Sequence, residues 1–283
     1  CVLKKNAVKS FIEIRMEPTK NTLKVYFIGA GPGDVELLTL KAARIIRKAD
    51  IIIYAGSLVN KDILGFAKKA AVSYDSAKMT LEEVIGIIEN EKSNKKIIAR
   101  LHTGDPSLYG AIQEQMDWCE KEKIAYEVIP GVSSFQAAAA SLKQEFTLPG
   151  VSQTVILTRL SGRTKVPKRE DLEQLAKIRA TLVIFLSVQD IARVVKKLKC
   201  GYVQNTPVIV VERVSWPDER KISGTLADIA KKVKQAGIKR QALIIIGDVL
   251  RKKYRLSKLY DKNFTHGFRK KIGLVGQRRL RLR

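Results

Sequence analysis

The sequence predicts an α/β protein made of two α/β domains. Three observations carry that expectation. Short apolar runs alternate with amphipathic stretches from Leu23 onward, glycine-containing loops follow several of those runs, and the pattern pauses at Phe146-Thr-Leu-Pro-Gly150 before resuming. Alternation of this kind argues parallel strands covered by helices. At 283 residues the chain is long enough to give each domain its own core.

Lys24–Gly29 reads as the first strand and Asp50–Tyr54 as the second. Between them Leu37, Leu38, Ala42, Ile45 and Ile46 fall at helical spacing, which predicts a helix over 36–48. Thr80-Leu-Glu-Glu83 has the form of a capping box and opens a helix expected to run to Asn94. Ile97–Leu101 is a strand, Ser107–Glu122 a helix, Ala125–Ile129 a strand and Gln136–Ser141 a small-residue helix. Beyond the pause, strands are expected at Thr154–Thr158, Thr181–Leu186, Pro207–Glu212 and Gln241–Gly247. Helices are expected at Asp171–Ile178, Ile191–Leu198 and Leu226–Ala236, with Arg159–Arg169 a basic loop. The chain is therefore divided into a flexible extension (1–21), two α/β domains (22–149 and 150–262) and a basic C-terminal tail (263–283), mobile over 270–283. Met16 is a candidate natural start within the extension.

Hydrophobic residues make up 45% of the chain and charged residues 29%, the balance of a soluble globular protein. No apolar run approaches the ~18 residues of a membrane span. Cys1, Cys119 and Cys200 lie far apart in the sequence, without CxxC spacing. They read as reduced thiols of a cytoplasmic protein. Two histidines, His102 and His266, do not make a metal site, so no metal is expected. The outlier is a net charge of +25, and residues 251–283 carry 13 Lys/Arg against the single acid Asp261. Such a balance suits nucleic acid, an anionic membrane, a polyanionic small molecule or simply a lysine-rich surface.

The motifs narrow this list. Thr103-Gly-Asp-Pro-Ser-Leu108 follows a strand, where ligands of open α/β sheets bind. Gly104 permits close approach, Asp105 offers an acceptor, and Pro106 suits the first turn of a following helix. Gly29-Ala-Gly-Pro-Gly-Asp34 invites a dinucleotide reading, but its spacing is GxGxG, and Tyr54-Ala-Gly-Ser57 lacks the expected acid at the second strand end. Pro32 also removes a backbone donor. No lysine stands at Walker A spacing, so a nicotinamide or nucleoside-triphosphate site is disfavoured. The loop then serves another ligand or is only a tight strand–helix turn. Pro130-Gly-Val-Ser-Ser134 is another strand end, and the four alanines after it suit ordinary helix packing. Arg159 and Arg163 flank Ser161-Gly162, and two guanidiniums on one loop suit carboxylates.

Together, Gly29–Asp34 with Leu37-Leu-Thr39, Tyr54–Val59, Gly104–Pro106 and Pro130–Ser134 resemble the tetrapyrrole methylase family over roughly residues 23–269. The resemblance implies two α/β domains with S-adenosylmethionine in the cleft between them. His102–Ala111, Gln153–Arg159, Trp216–Glu219 and Ser257–Asp261 are similar to the members that methylate C11 of precorrin-4 or of its cobalt complex. Those members act in cobalamin biosynthesis. By the same resemblance the cofactor site comprises Pro32, Thr103, Gly104, Asp105, Leu108, Ser133, Ser134, Leu186, Val214 and Ala242. Substrate-binding candidates are Tyr54, Ser57, Arg159, Arg163 and Trp216, with His102 a weak catalytic candidate. The family's uroporphyrinogen-III methyltransferases carry an acid after the second-strand Tyr and a basic Gly-Lys-Arg segment. Here those places hold Ala55-Gly56 and Asp75-Ser-Ala-Lys78. Its RNA methyltransferases differ at the Gly104 loop. The partner implied is a polycarboxylated tetrapyrrole, the expected assembly a homodimer, and neither membrane nor nucleic acid is expected to bind.

Overall fold

The computed structural model describes residues 23–251 and 253–270. The expected extension (1–21) and most of the basic tail lie outside them. The chain forms two interleaved units. One comprises the residues up to Lys143 with Val211–Lys221 and Ile238–Leu243; the other comprises Gln144–Val210, Ile222–Gly237 and the residues from Ile244. The sequence break at 146–150 divides the chain contiguously, whereas this grouping returns two later segments to the first unit.

In the first unit, β1 (Lys24–Gly29), β2 (Ile51–Tyr54), β3 (Val72–Asp75), β4 (Ile97–His102) and β5 (Ala125–Ile129) form one sheet in the order β3-β2-β4-β1-β5. Every pairing in it is parallel. Alternate residues feed two cores. Ile28, Ile52, Ala99 and Leu101 meet Ala42 and Ile46 of α1 (Leu40–Lys48) on one face. On the other, Val25, Phe27, Ile53 and Ile98 meet Val84 and Ile88 of α2 (Leu81–Glu89) and Cys119 of α3 (Gln113–Lys121). The unit also holds α4 (Ser134–Leu142).

Several elements differ from expectation, four of them for the following local reasons. The helix foreseen over 36–48 is split: a 3-10 turn spans Val35–Leu37, and Thr39 caps α1 by accepting from the Ala42 N–H at 3.1 Å. The helix foreseen from Ser107 begins only at Gln113. Tyr109 and Ala111 take φ values of +58° and +48°, which a right-handed helix cannot contain, so Pro106 opens no helix. The strands β3 and β9 (Arg220–Thr225) went unread because they are mostly exposed edge strands without an apolar alternation.

The second sheet has the order β6-β7-β10-β8-β9, with β6 (Val155–Arg159), β7 (Thr181–Phe185), β8 (Pro207–Glu212) and β10 (Ala242–Ile246). β6 and β7 run parallel, but β10 is antiparallel to β7. Helices α5 (Leu172–Ala176), α6 (Ile191–Leu198) and α7 (Ile229–Gln235) accompany it. Leu182, Ile184, Val194, Leu198, Ile229 and Ile244 are fully buried in this unit.

Candidate functional site at the carboxyl ends of the first sheet

Three glycines meet where β1, β4 and β5 end. A Cβ on Gly29 would stand 2.5 Å from the Gly131 Cα and 2.7 Å from the Gly104 carbonyl oxygen. Only residues without side chains at 29 and 131 allow these backbones so close together, while Gly104 takes the left-handed φ of +64°. Gly31 and Gly104 form an isolated antiparallel bridge, with N–H donations of 3.2 and 2.7 Å, and the Ala30 N–H donates to the His102 carbonyl at 2.7 Å. The loop after β1 is thereby welded to the loop after β4. The result is a surface made of peptide groups at the crevice end of a parallel sheet, where small ligands bind.

Asp105 holds this surface together rather than offering a free acceptor. One carboxylate oxygen accepts from the Ser107 N–H at 2.9 Å and from the Ser107 hydroxyl; the other accepts from the Gly131 N–H at 2.9 Å. Partial burial opposes its ionisation, yet the bonds from Ser107 and Gly131 prevail and keep its carboxyl below the usual range. Thr103 is exposed, Leu108 half-buried, and Ser133 buried at the start of α4, where the Gln136 side chain accepts its N–H at 2.9 Å. Ser134 is half-buried on the first turn of α4.

His102 points into the α2–α3 face, beside Phe27. Burial, helped by the nearby Arg100 cation, lowers its pKa to about 3 against the hydrogen bond it makes to the Gly110 backbone. Its Nε2 is buried without a partner. A neutral ring walled off in this way suits packing, not proton transfer. Arg100 is likewise buried and donates to Ser76 Oγ at 3.0 Å, Gln115 Oε1 at 3.3 Å and the Ile53 carbonyl at 3.4 Å.

The loop Pro32–Asp34 is gripped by Trp216, a substrate candidate in the sequence, together with Asn60 and Ser215. Asn60 Nδ2 donates to the Gly33 carbonyl at 2.8 Å, and Ser215 Oγ accepts the Asp34 N–H at 3.0 Å. Trp216 Nε1 donates to the buried Pro32 carbonyl at 3.1 Å. Val214 is buried between Arg213 and Ser215, whose φ values are +49° and +65°. Gln241, at φ +51°, precedes the buried Ala242 and donates to the Ser57 carbonyl at 2.5 Å. Left-handed non-glycine residues cost energy and mark strained, often functional loops. Tyr54 is buried at the end of β2, its carbonyl accepting from Ser76 Oγ at 3.2 Å. Pro32, Val214, Ala242, Tyr54, Ser57 and Trp216 thus share one unit with the Gly104 loop.

Residues 24–230 match the sequence model of the Tetrapyrrole (Corrin/Porphyrin) Methylases. The chain belongs to that family. This tetrapyrrole methylase is 56% identical over 252 residues to a cobalt-precorrin-4 C(11)-methyltransferase of Methanocaldococcus jannaschii, covering 88% of this chain and 97% of the relative. It is 44% identical over 248 residues to a precorrin-4 C(11)-methyltransferase of Pseudomonas aeruginosa, covering 87% and 99%. The X-ray structure of a cobalt precorrin-4 methyltransferase superposes with a TM-score of 0.78 at 42% identity, over 80% of this chain and 95% of that one. A uroporphyrin-III C-methyl transferase from Thermus thermophilus, complexed with S-adenyl homocysteine, superposes with a TM-score of 0.70 at 28% identity, covering 81% of this chain and 100% of that one.

In the second unit of this tetrapyrrole methylase, Leu186 follows β7 with φ +53° and lies 68% exposed, an apolar side chain held out in a strained bend. Arg159 is turned inward on its own loop: Nη1 donates to the Thr164 carbonyl at 3.0 Å and Nη2 to the Lys165 carbonyl at 3.1 Å. Arg163 is exposed. Ser187, the residue after Leu186, accepts the Leu160 N–H at 2.8 Å and ties the ends of β6 and β7. Among the described residues no group of three or more His, Cys, Asp or Glu could hold a metal ion. None of their helices is long and apolar enough to cross a membrane. A cavity of about 270 Å³ beside α1, lined by Tyr26, Lys41, Arg44, Lys48 and Glu127, also includes Ile97, the first residue of β4. It therefore adjoins the amino end of that strand, away from the glycine junction.

Proposed function

We propose that this chain transfers a methyl group from S-adenosylmethionine to C11 of precorrin-4 or of its cobalt complex, in cobalamin biosynthesis. The observation that carries the reading is the glycine junction of Gly29, Gly104 and Gly131, in a chain 56% identical to a cobalt-precorrin-4 C(11)-methyltransferase. The sulfonium supplies an activated methyl group whose leaving thioether needs no acid. What remains for the protein is alignment and exclusion of water. Backbone groups around Gly104, Pro32 and Ser133 would cradle the methyl donor, with Thr103, Leu108, Ser134, Val214 and Ala242 around them. The Asp105 carboxylate contributes indirectly, by fixing the loops.

For the substrate's carboxylates we assign Arg163, exposed on its loop, and give Arg159 the task of shaping that loop. Tyr54, at the end of β2, and Ser57, on the loop after it, remain substrate candidates. No base is assigned, because His102 is neutral and enclosed. A cytoplasmic homodimer without bound metal belongs to the same reading, and light scattering during gel filtration checks the dimer.

The deciding experiment incubates the purified protein with methyl-labelled S-adenosylmethionine and precorrin-4, with and without cobalt, and locates the label by NMR. Label at C11 is expected. Label at another ring carbon, or in RNA supplied as a competitor, overturns the assignment.

A further inference from the structure

We infer that Trp216 is a positioning residue for the methyl donor: its indole sets the Pro32–Gly33 loop in the conformation that binds S-adenosylmethionine. The inference rests on the proposed placement of the methyl donor beside Gly104. Three features of the indole support it. Its Nε1–H donates to the Pro32 carbonyl at 3.1 Å. A Cβ on Gly33 would stand 2.2 Å from the indole Cδ1 and 2.3 Å from Nε1, so the loop lies directly against the pyrrole edge of the ring. The Arg213 guanidinium stacks on it at 4.1 Å from the ring centroid.

Arg213 is itself fixed, donating to Asp218 at 2.7 Å and to Gln241 Oε1 at 2.9 Å, and Gln241 reaches the Ser57 carbonyl. The turn carrying the indole is braced by the Ser215 N–H donating to Glu219 at 2.8 Å. A ring covered by the Arg213 guanidinium and meeting the loop along its pyrrole edge leaves Pro32 and Gly33 little freedom. Gly31, the next residue back, is already bridged to Gly104. Movement of the indole therefore shifts the backbone edge that faces the Gly104 loop. Because the same stack ends at Ser57, it also links that edge to the loop after β2.

The test uses S-adenosylhomocysteine as ligand and the full chain throughout. Trp216→Phe keeps a ring but loses the donor, and its Kd by calorimetry should rise roughly fivefold, the effect of one lost hydrogen bond. Trp216→Ala should weaken binding by more than tenfold. In Trp216→Phe, KM for S-adenosylmethionine should rise while kcat falls less than twofold. Trp118→Phe leaves Trp216 as the one tryptophan, so its emission reports on this loop directly and should change on ligand binding even if Trp216→Ala does not fold. Wild-type Kd in a folded Trp216→Phe chain, or unchanged Trp216 emission while calorimetry records binding, overturns the inference and leaves the methyl-donor reading standing. Failure of the wild-type chain to bind S-adenosylhomocysteine overturns that reading, and this inference with it.

Discussion

At Gly29 one added methyl group decides between closure and separation of three strand ends. The Gly131 and Gly104 atoms it would strike belong to backbone, which cannot swing aside. Gly29→Ala should cost about 1–3 kcal/mol of stability by overpacking and abolish S-adenosylhomocysteine binding, read by urea unfolding and calorimetry. His102 carries a different expectation. An unfolded-chain imidazole takes its proton near pH 6.5, while the folded one refuses it until about pH 3. The unfolded state therefore binds more protons across that window, and stability falls as pH drops through it by at most ~1.4 kcal/mol per unit. His102→Asn should flatten the difference between urea midpoints at pH 7 and pH 5. An unaltered slope would show that the ring titrates normally and is accessible.

Two elements show how a local device sets a larger one. The capping box foreseen at Thr80 is present, with Glu83 accepting the Thr80 N–H at 2.6 Å and Thr80 Oγ1 accepting the Glu83 N–H at 3.3 Å. Thr80→Ala should cost about 1 kcal/mol in thermal or urea unfolding while leaving ligand affinity unchanged, since α2 lies on the far side of the sheet from α1 and makes none of the loop bonds. The loop after β6 depends instead on one side chain. Arg159→Ala frees the carbonyls of Thr164 and Lys165 and should raise amide exchange across 160–166. Arg163→Ala should raise the KM for precorrin-4 without that exchange. Equal kinetic effects without a difference in exchange would give both arginines the same role.

At the scale of the whole molecule, the charge of +25 is distributed along the chain, and six of its cations lie within residues 270–283. Deleting those residues should shorten retention on heparin and leave S-adenosylhomocysteine affinity as it was. Lost affinity would place the terminal segment at the site. The two sheets divide the work of folding in a way composition alone does not announce. Val211–Lys221 and Ile238–Leu243, read from the sequence as parts of the second domain, group with the first unit and carry Trp216 and Gln241 to its loops.

By itself the sequence determined the α/β class, the strand-end glycines and the family. Each rests on near neighbours in the chain: apolar alternation, Gly29–Asp34, Thr103–Leu108, Pro130–Ser134. Only the tertiary structure decided how the candidate side chains are used. Asp105 turns to Gly131, Arg159 to its own loop, and His102 to the ring of Phe27. The bonding partners of Asn60, Ser215 and Gln241 gave no signal, because a hydrogen bond between residues up to 184 positions apart leaves no period or spacing to read. Local pattern fixes where the backbone ends a strand; which side chain meets which carbonyl there depends on segments that only folding brings together.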